Sequence, residues 1–395
     1  MIRTILITVL IMVTTFFANA TLAAAAVTSK QVGHHYIQMA YQMFADTHKT
    51  AVILEQSINQ FIANPNSQTH ETAKKAWIKA HITYSQTEVF RFGNPNVDDW
   101  EGKVNAWPMD EGLLDYVNED YHYEDGNPHA NENLIASQAE INTELVKSTH
   151  EKAGSEANVA SGYHAVEFLL WGQDQNAENA SSGNRSHTDF LQSDLCTNPP
   201  CDRRAGYLGV ITHLIVNDVA EMLEQWHPST GSYAKEFAGL TGNEQVHRML
   251  LGIGGLGFGE LAAERIRVAL IANSQEDEQS CFSDTTDLAI LSNTVAIRNI
   301  YLGQYETLQG ELIEGPSLSD LVSSSKLDNQ LKEQLESSVS TANEISQVAR
   351  HGEPFDQQIL QNNHQGKLRL EKLIDQLRDQ TQTIEMVMHL VKTNS

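Results

Sequence analysis

His164 and Glu167 stand three residues apart inside Gly162-Tyr163-His164-Ala165-Val166-Glu167-Phe168-Leu169-Leu170-Trp171-Gly172, a segment otherwise apolar on every side. Three residues are nearly one helical turn, so the imidazole and the carboxylate share a face with Phe168 and Trp171. A helix that is apolar all round is normally buried, and Gly172 is well placed to end it. A buried carboxylate is costly unless it is paired, hydrogen-bonded or bound to a metal. Glu167 therefore needs a partner. With 16 histidines in the chain, chance supplies about one His-x-x-Glu, so the weight rests on the apolar context. Two readings stay open: a satisfied core His–Glu pair, or a ligand or catalytic site.

A second constellation lies upstream. Trp77, His81, Tyr84, Glu88 and Arg91 recur at steps of four, three, four and three, which puts all five on one helical face. That face is either solvated or the lining of an internal cleft. Residues 93–131 then form a long irregular segment dense in Trp, Asp, Glu and Pro, including Trp107-Pro108-Met109-Asp110-Glu111. Its acids offer oxygen ligands for a hard cation or ferric iron, or else Asx-turns and caps that knit the loop together.

Further along, Gly252, Gly254 and Gly257 match G-x-G-x-x-G, but no strand precedes them, so a dinucleotide site is not expected. These glycines would let two helices, or a helix and a ligand, approach closely. Glu260, Glu264 and Arg267 share a face of the helix that follows. No His-Glu-x-x-His occurs, so the usual zinc-protease helix is missing. Glu244-x-x-His247 and Glu119-x-x-His122 have the spacing of di-iron ligands, which would require two more glutamates on facing helices.

The elements that must position these groups are helical. Period-3.6 patterns predict helices near 30–63, 70–92, 132–149, 156–171, 203–226, 244–272, 286–308, 318–349 and 365–392. The expected fold is all-α, with two helical bundles packed side by side and a functional cleft at their interface. The bundles are assigned to 27–180 and 203–395, joined by a linker at 181–202. In that linker Cys196 and Cys201 flank Thr-Asn-Pro-Pro; a local disulfide is expected over a metal site, since no further pair completes a zinc set. Cys281 is left over as a buried thiol. Residues 1–26 read as a secretory signal peptide, with an uncleaved anchor as the alternative. Net charge is −25 at pH 7, which argues against nucleic acid or anionic membrane surfaces as partners.

Taken together, several segments resemble the imelysin-like family, specifically its iron-regulated protein A branch. They are Ala76-Trp77 with Tyr84 and Glu88, Phe90 to Pro95, Asp98 to Gly102, Asn105 to Gly112, and Gly162-x-His164-x-x-Glu167. Cys201 to Arg204, Gly259 to Arg265 and Glu276 to Asp284 continue the series. Three positions depart from the pattern associated with the branch: His81 in place of Arg, and Gln279 and Asp287 each in place of His.

The resemblance implies an exported, periplasmic helical protein of bacterial iron acquisition, with outer-membrane association as a variant of that expectation. The metal site would be His164 and Glu167, with Gly162, Trp77, Tyr84, Glu88, Arg91, Asp110, Glu260 and Glu264 as a supporting cleft. The implied cofactor or cargo is a metal ion, iron before zinc, and the implied partners are iron or an iron chelate and a membrane uptake component. Two other readings stand beside it: a metal-dependent peptidase, and a binding module for an organic ligand or partner protein with a structural His–Glu pair. Protonation of His164 would weaken metal binding as pH falls below about 6, because only the neutral imidazole is a ligand.

Overall fold

A computed structural model describes residues 26–119, 121, 126–175 and 181–393. Residues 1–25 of the 1–26 segment read as a signal peptide, and His122 of the second Glu-x-x-His, lie outside the described residues. The fold is all-α. In the first half come α1 (Ser29–Ala63), α2 (Ser67–Ser85), α3 (Pro95–Asn105), α4 (Thr143–Thr149) and α5 (Gly162–Trp171). The second half holds α6 (Cys201–Gln225), α7 (Ser232–Gly239), α8 (Gly242–Gly254), α9 (Val268–Ala272) and α10 (Thr286–Leu302). It closes with α11 (Leu318–Val322), α12 (Lys326–Arg350), α13 (Phe355–Ile359) and α14 (His364–Thr393).

Local chemistry starts the long helices. Thr28 and Gln31 form a capping box at α1, and Asn66 and Thr69 form another at α2. Apolar stripes then dictate packing: α1 lies against α2 and α6, while α12 lies against α10 and α14. The stripe residues Leu331, Leu335, Ala342 and Ile345 of α12 and Leu370, Leu373, Leu377 and Ile384 of α14 are all buried. One connected apolar cluster runs from Val32 to Val387, and α1 also packs on α8.

Four elements differ from the periodicity. The helix expected at 132–149 shrinks to α4, because Asn133 adopts a positive φ of 45° and Asn142 caps the short helix by accepting from the Leu145 N–H at 2.9 Å. Such side chains compete with the helix for local hydrogen bonds. The helix expected from 156 starts only at Gly162. The one expected to reach 308 stops at Leu302, and an antiparallel hairpin follows, β1 (Gln304–Glu306) paired with β2 (Leu312–Glu314). Three-residue strands are too short for alternation to register. Finally, the continuous helix over 242–272 winds as a π-helix from Gly255 to Arg267. A Cβ on Gly252 would lie 2.6 Å from the Val89 carbonyl oxygen, and one on Gly255 would lie 2.6 Å from Phe92. These glycines let α8 and the π-helix sit directly on the chain after α2. Cys196 and Cys201 are joined by an S–S bond, and Cys281 is a buried free thiol.

Candidate functional site

Gly162 begins α5 with a φ of +91°, and a Cβ there would lie 2.7 Å from the Val104 carbonyl oxygen. Only glycine accommodates both demands, and the contact seats α5 against the end of α3, beside Asn105. Every residue of α5 is buried. His164 Nδ1 lies 2.9 Å from Glu167 Oε2, with both side chains 0% exposed. The other oxygen, Oε1, accepts from the Ser283 N–H at 3.0 Å and the Ser283 hydroxyl at 2.6 Å. His164 Nε2 is buried and has no hydrogen-bond partner among the described residues.

Burial drives the His164 imidazole down to about 3, helped by the Arg265 charge. It drives the Glu167 carboxyl up to about 8, against the pull of Ser283 and His81. Both shifts favour an uncharged pair near neutrality. The expectation of protonation near pH 6 therefore fails at this depth, because it assumed a solvated ring.

The aromatic and polar stripe of α2, continued by a 3₁₀ turn at Gln86–Phe90, is internal rather than solvated. Trp77, His81, Tyr84 and Glu88 are all buried. Trp77 donates its indole N–H to the Tyr163 carbonyl at 2.8 Å and stacks on His81 with centroids 4.8 Å apart. The His81 ring stands 5.2 Å from that of His164, and Tyr84 lies 5.1 Å from Tyr163. His81 Nε2 is 3.2 Å from Asn105 Oδ1, while its Nδ1 is buried without a partner. Burial, then the neighbouring His164, lowers His81 to about 4.

Beyond Asn105 the network becomes charged. Arg265 donates to both oxygens of Glu88, at 3.0 and 2.5 Å, and Asn293 adds a bond at 2.8 Å. Burial alone would raise Glu88, yet the Arg265 charge and these bonds hold it below the ordinary carboxylate value. Arg265 also reaches Glu260 at 2.9 Å; Glu260 lies 3.6 Å from Arg91, which donates to Asp98 at 2.8 Å and approaches Glu101 at 3.5 Å. Burial lifts Glu101 to about 7 despite Arg91. Glu260 thus pairs with Arg265, while Arg267, expected on the same face as Glu260, is exposed. Bonding from i to i+5 brings residues five apart onto one face, where the α-helical period had pointed to Arg267.

Arg91, Glu101, Asn105, Glu260, Glu264 and Arg265 line an open cleft of about 490 Å³, which carries seven carboxylates against two arginines. Gln279 also lines it, with a buried Oε1 that has no partner among the described residues. His164 and Glu167 do not line this cleft; His81, Asn105 and Glu88 connect the sealed pair to it. Asp110 is not brought to it either. Its N–H donates to the Ala157 carbonyl at 2.8 Å, and with Glu111 it lines a separate cavity of about 810 Å³, although Trp107 and Pro108 border both.

Among the described residues no three His, Cys, Asp or Glu side chains are grouped to hold a metal ion. Glu244 caps α8 through Thr241, at 2.8 Å to its N–H and 2.7 Å to its hydroxyl, and His247 is exposed. Arg265, Asn105 and Ser283 have structural roles that no spacing announces, though all three fall within the family-like segments. Asn293 carried one signal: a lone amide on an apolar face with Ala289, Ile290, Ala296 and Ile297.

Comparison with known proteins agrees with this fold. A family model described as Imelysin matches residues 40–384. Iron-regulated protein A of Synechococcus elongatus is 28% identical over 102 residues, a match that covers 26% of this chain and 29% of that protein. The match thus spans under a third of that relative's length. A crystal structure of a proposed iron-regulated protein A precursor from Parabacteroides distasonis superposes with a TM-score of 0.67 at 17% identity, covering 93% of this chain and 96% of that one. An imelysin-like protein from Psychrobacter arcticum gives a TM-score of 0.55 at 12% identity, over 91% and 95% of the two chains. At such identities these likenesses speak to fold.

Proposed function

The chain belongs to the imelysin family, and from that premise we propose that it is an exported, periplasmic protein of bacterial iron uptake that binds iron as cargo through His164. The observation that carries this reading is the orphaned Nε2 of His164. Its ring is fixed from behind by Glu167, and Glu167 is fixed in turn by Ser283. A carboxylate behind an imidazole whose other nitrogen is free is the arrangement that orients a metal-ligating histidine. Glu167 then acts as the orienting group, since both its oxygens are occupied. His81, with its own unpartnered Nδ1, is the natural second nitrogen donor.

The oxygen-rich cleft supports the same reading. Ferric iron prefers oxygen donors with one or two imidazoles, and seven carboxylates line the approach to the buried histidines. Because the described residues form no ready metal cage, the cargo would carry part of its coordination sphere with it, as chelated iron does. Zinc would be accepted by the same imidazoles with less use of the cleft oxygens.

Calorimetric titration with ferric iron delivered as a weak chelate tests the proposal. One binding event is expected, abolished in His164→Ala and weakened roughly 10–100-fold in Glu167→Gln. Both variants should keep the far-UV circular dichroism of the parent. Unchanged affinity in His164→Ala would remove the metal from this ring and leave a structural core pair.

A further inference from the structure

The molecule has another cavity of the opposite sign. Lys49 of α1, Lys79 of α2 and Arg298 of α10 converge on a concavity of about 990 Å³ whose far wall is the β1–β2 hairpin. The hairpin is fixed in place by Asp46, whose Oδ2 accepts from the Tyr305 hydroxyl at 2.9 Å and from the Leu308 N–H at 3.0 Å. Neither Lys49 nor Lys79 enters an ion pair among the described residues; Arg298 pairs with the exposed Glu336 at 3.4 Å and donates to the side-chain oxygen of Asn299 at 3.2 and 3.3 Å. Glu306 is the one carboxylate in the lining.

In a chain of net charge −25, three cations facing one bowl with a single acid is a local reversal of the protein's field. Like charges gathered this way repel one another unless something negative lies between them. Gln86 and Gln304 add amide donors to the same wall. At the rim Ile53 and Leu312 are 46% and 55% exposed, which gives a ligand's carbon frame something to rest on.

We infer that this cavity binds a compact multivalent anion, one that presents two or more carboxylate or phosphate groups to Lys49, Lys79 and Arg298. A monovalent anion can meet one of these cations, whereas a multivalent one can meet several at once. The volume is that of a small-molecule site, and the cations come from three separate helices, so their spacing is set by the packed fold. The site is independent of the iron reading, because no residue of the His164 network lines it.

Calorimetry on metal-free protein at low salt tests the inference with citrate, inorganic pyrophosphate and acetate as probes. Citrate or pyrophosphate should bind once per chain while acetate gives no measurable heat, and whichever of the two binds more tightly assigns carboxylate or phosphate as the natural group. The Lys49→Gln/Lys79→Gln double variant should weaken binding roughly tenfold or more, and added salt should weaken it in the parent. Both lysines are exposed, so the variant should fold, as circular dichroism would verify. His164→Ala should leave anion binding intact even if it abolishes iron binding. Absence of heat from both multivalent probes, or equal affinity in the folded double variant, would overturn the inference.

Discussion

Two carboxylates in the core, Glu88 and Glu167, lose their water to nearly the same extent, but Glu88 meets a guanidinium while Glu167 meets an imidazole and a serine. Burial raises both by itself. At Glu88 the bidentate Arg265 and the Asn293 amide outweigh it, and the carboxylate stays charged. At Glu167 the Ser283 bonds fall short, so the carboxyl is pushed up to about 8. Burial therefore does not decide whether an acid is charged; the partner's charge does. The Glu88 region is a fixed ionic strut between the halves of the sequence. The Glu167 region is a pair that burial holds uncharged near neutrality.

The largest test of that contrast is Arg265→Met. It leaves Glu88 buried beside no cation, and breaking such a pair typically costs about 3–5 kcal/mol. Denaturant titration should show that loss, with much of it restored when Glu88→Gln is added. A cost under about 1 kcal/mol would mean that the strut carries nothing. Next in size is Gly162→Ala, which forces a side chain into a positive-φ residue pressed on the Val104 carbonyl. About 1–3 kcal/mol should be lost, and near-UV circular dichroism should change as α5 shifts from Asn105, the residue that joins the two regions.

A smaller effect separates the two acids by pH. The raised Glu167 value means that the folded state holds its proton more tightly than the unfolded chain. That contribution is full below about 4.5 and is lost as pH climbs towards about 8. The lowered Glu88 value works in reverse, with its contribution present above about 4.5 and lost as pH falls. Unfolding midpoints of the parent and of Glu167→Gln, a neutral mimic of the protonated acid, should thus lie close at pH 5 and separate at pH 9, as only the parent loses stability; a constant gap would erase the contrast. The smallest expected effect is none. A general base needs a free oxygen for the water it activates, and both Glu167 oxygens are occupied by His164 and Ser283, so the metal-loaded protein should leave insulin B chain uncut. Cleavage that vanishes in Glu167→Gln would show that the pair opens to substrate.

Much of this architecture can be read from sequence, because helical stripes report burial directly; Leu331 to Ile345 and Leu370 to Ile384 are buried as their spacing demands. The His164–Glu167 pair was equally visible, since two polar residues in an apolar helix must satisfy each other or a ligand. The rest depended on contacts between distant segments. Ser283 is 116 residues from Glu167, and Arg265 is 177 from Glu88; neither distance leaves a local trace. The degree of burial was hidden as well, which is why an ordinary imidazole value misled for His164. At 132–149 periodicity overran the capping chemistry of Asn133 and Asn142.

The π-helix has a consequence for how this chain tolerates length changes. Leu256, Leu261 and Ile266 are buried at intervals of five, so the segment keeps a phase of its own between α8 and α9. Substitutions within it leave that phase alone. Loss of a single residue between Gly257 and Gly259 would rewind the backbone toward the α-helical repeat and rotate Arg265 away from Glu88 without altering either residue. Point changes here trim side chains, whereas a one-codon deletion would reset the register of the whole cleft wall.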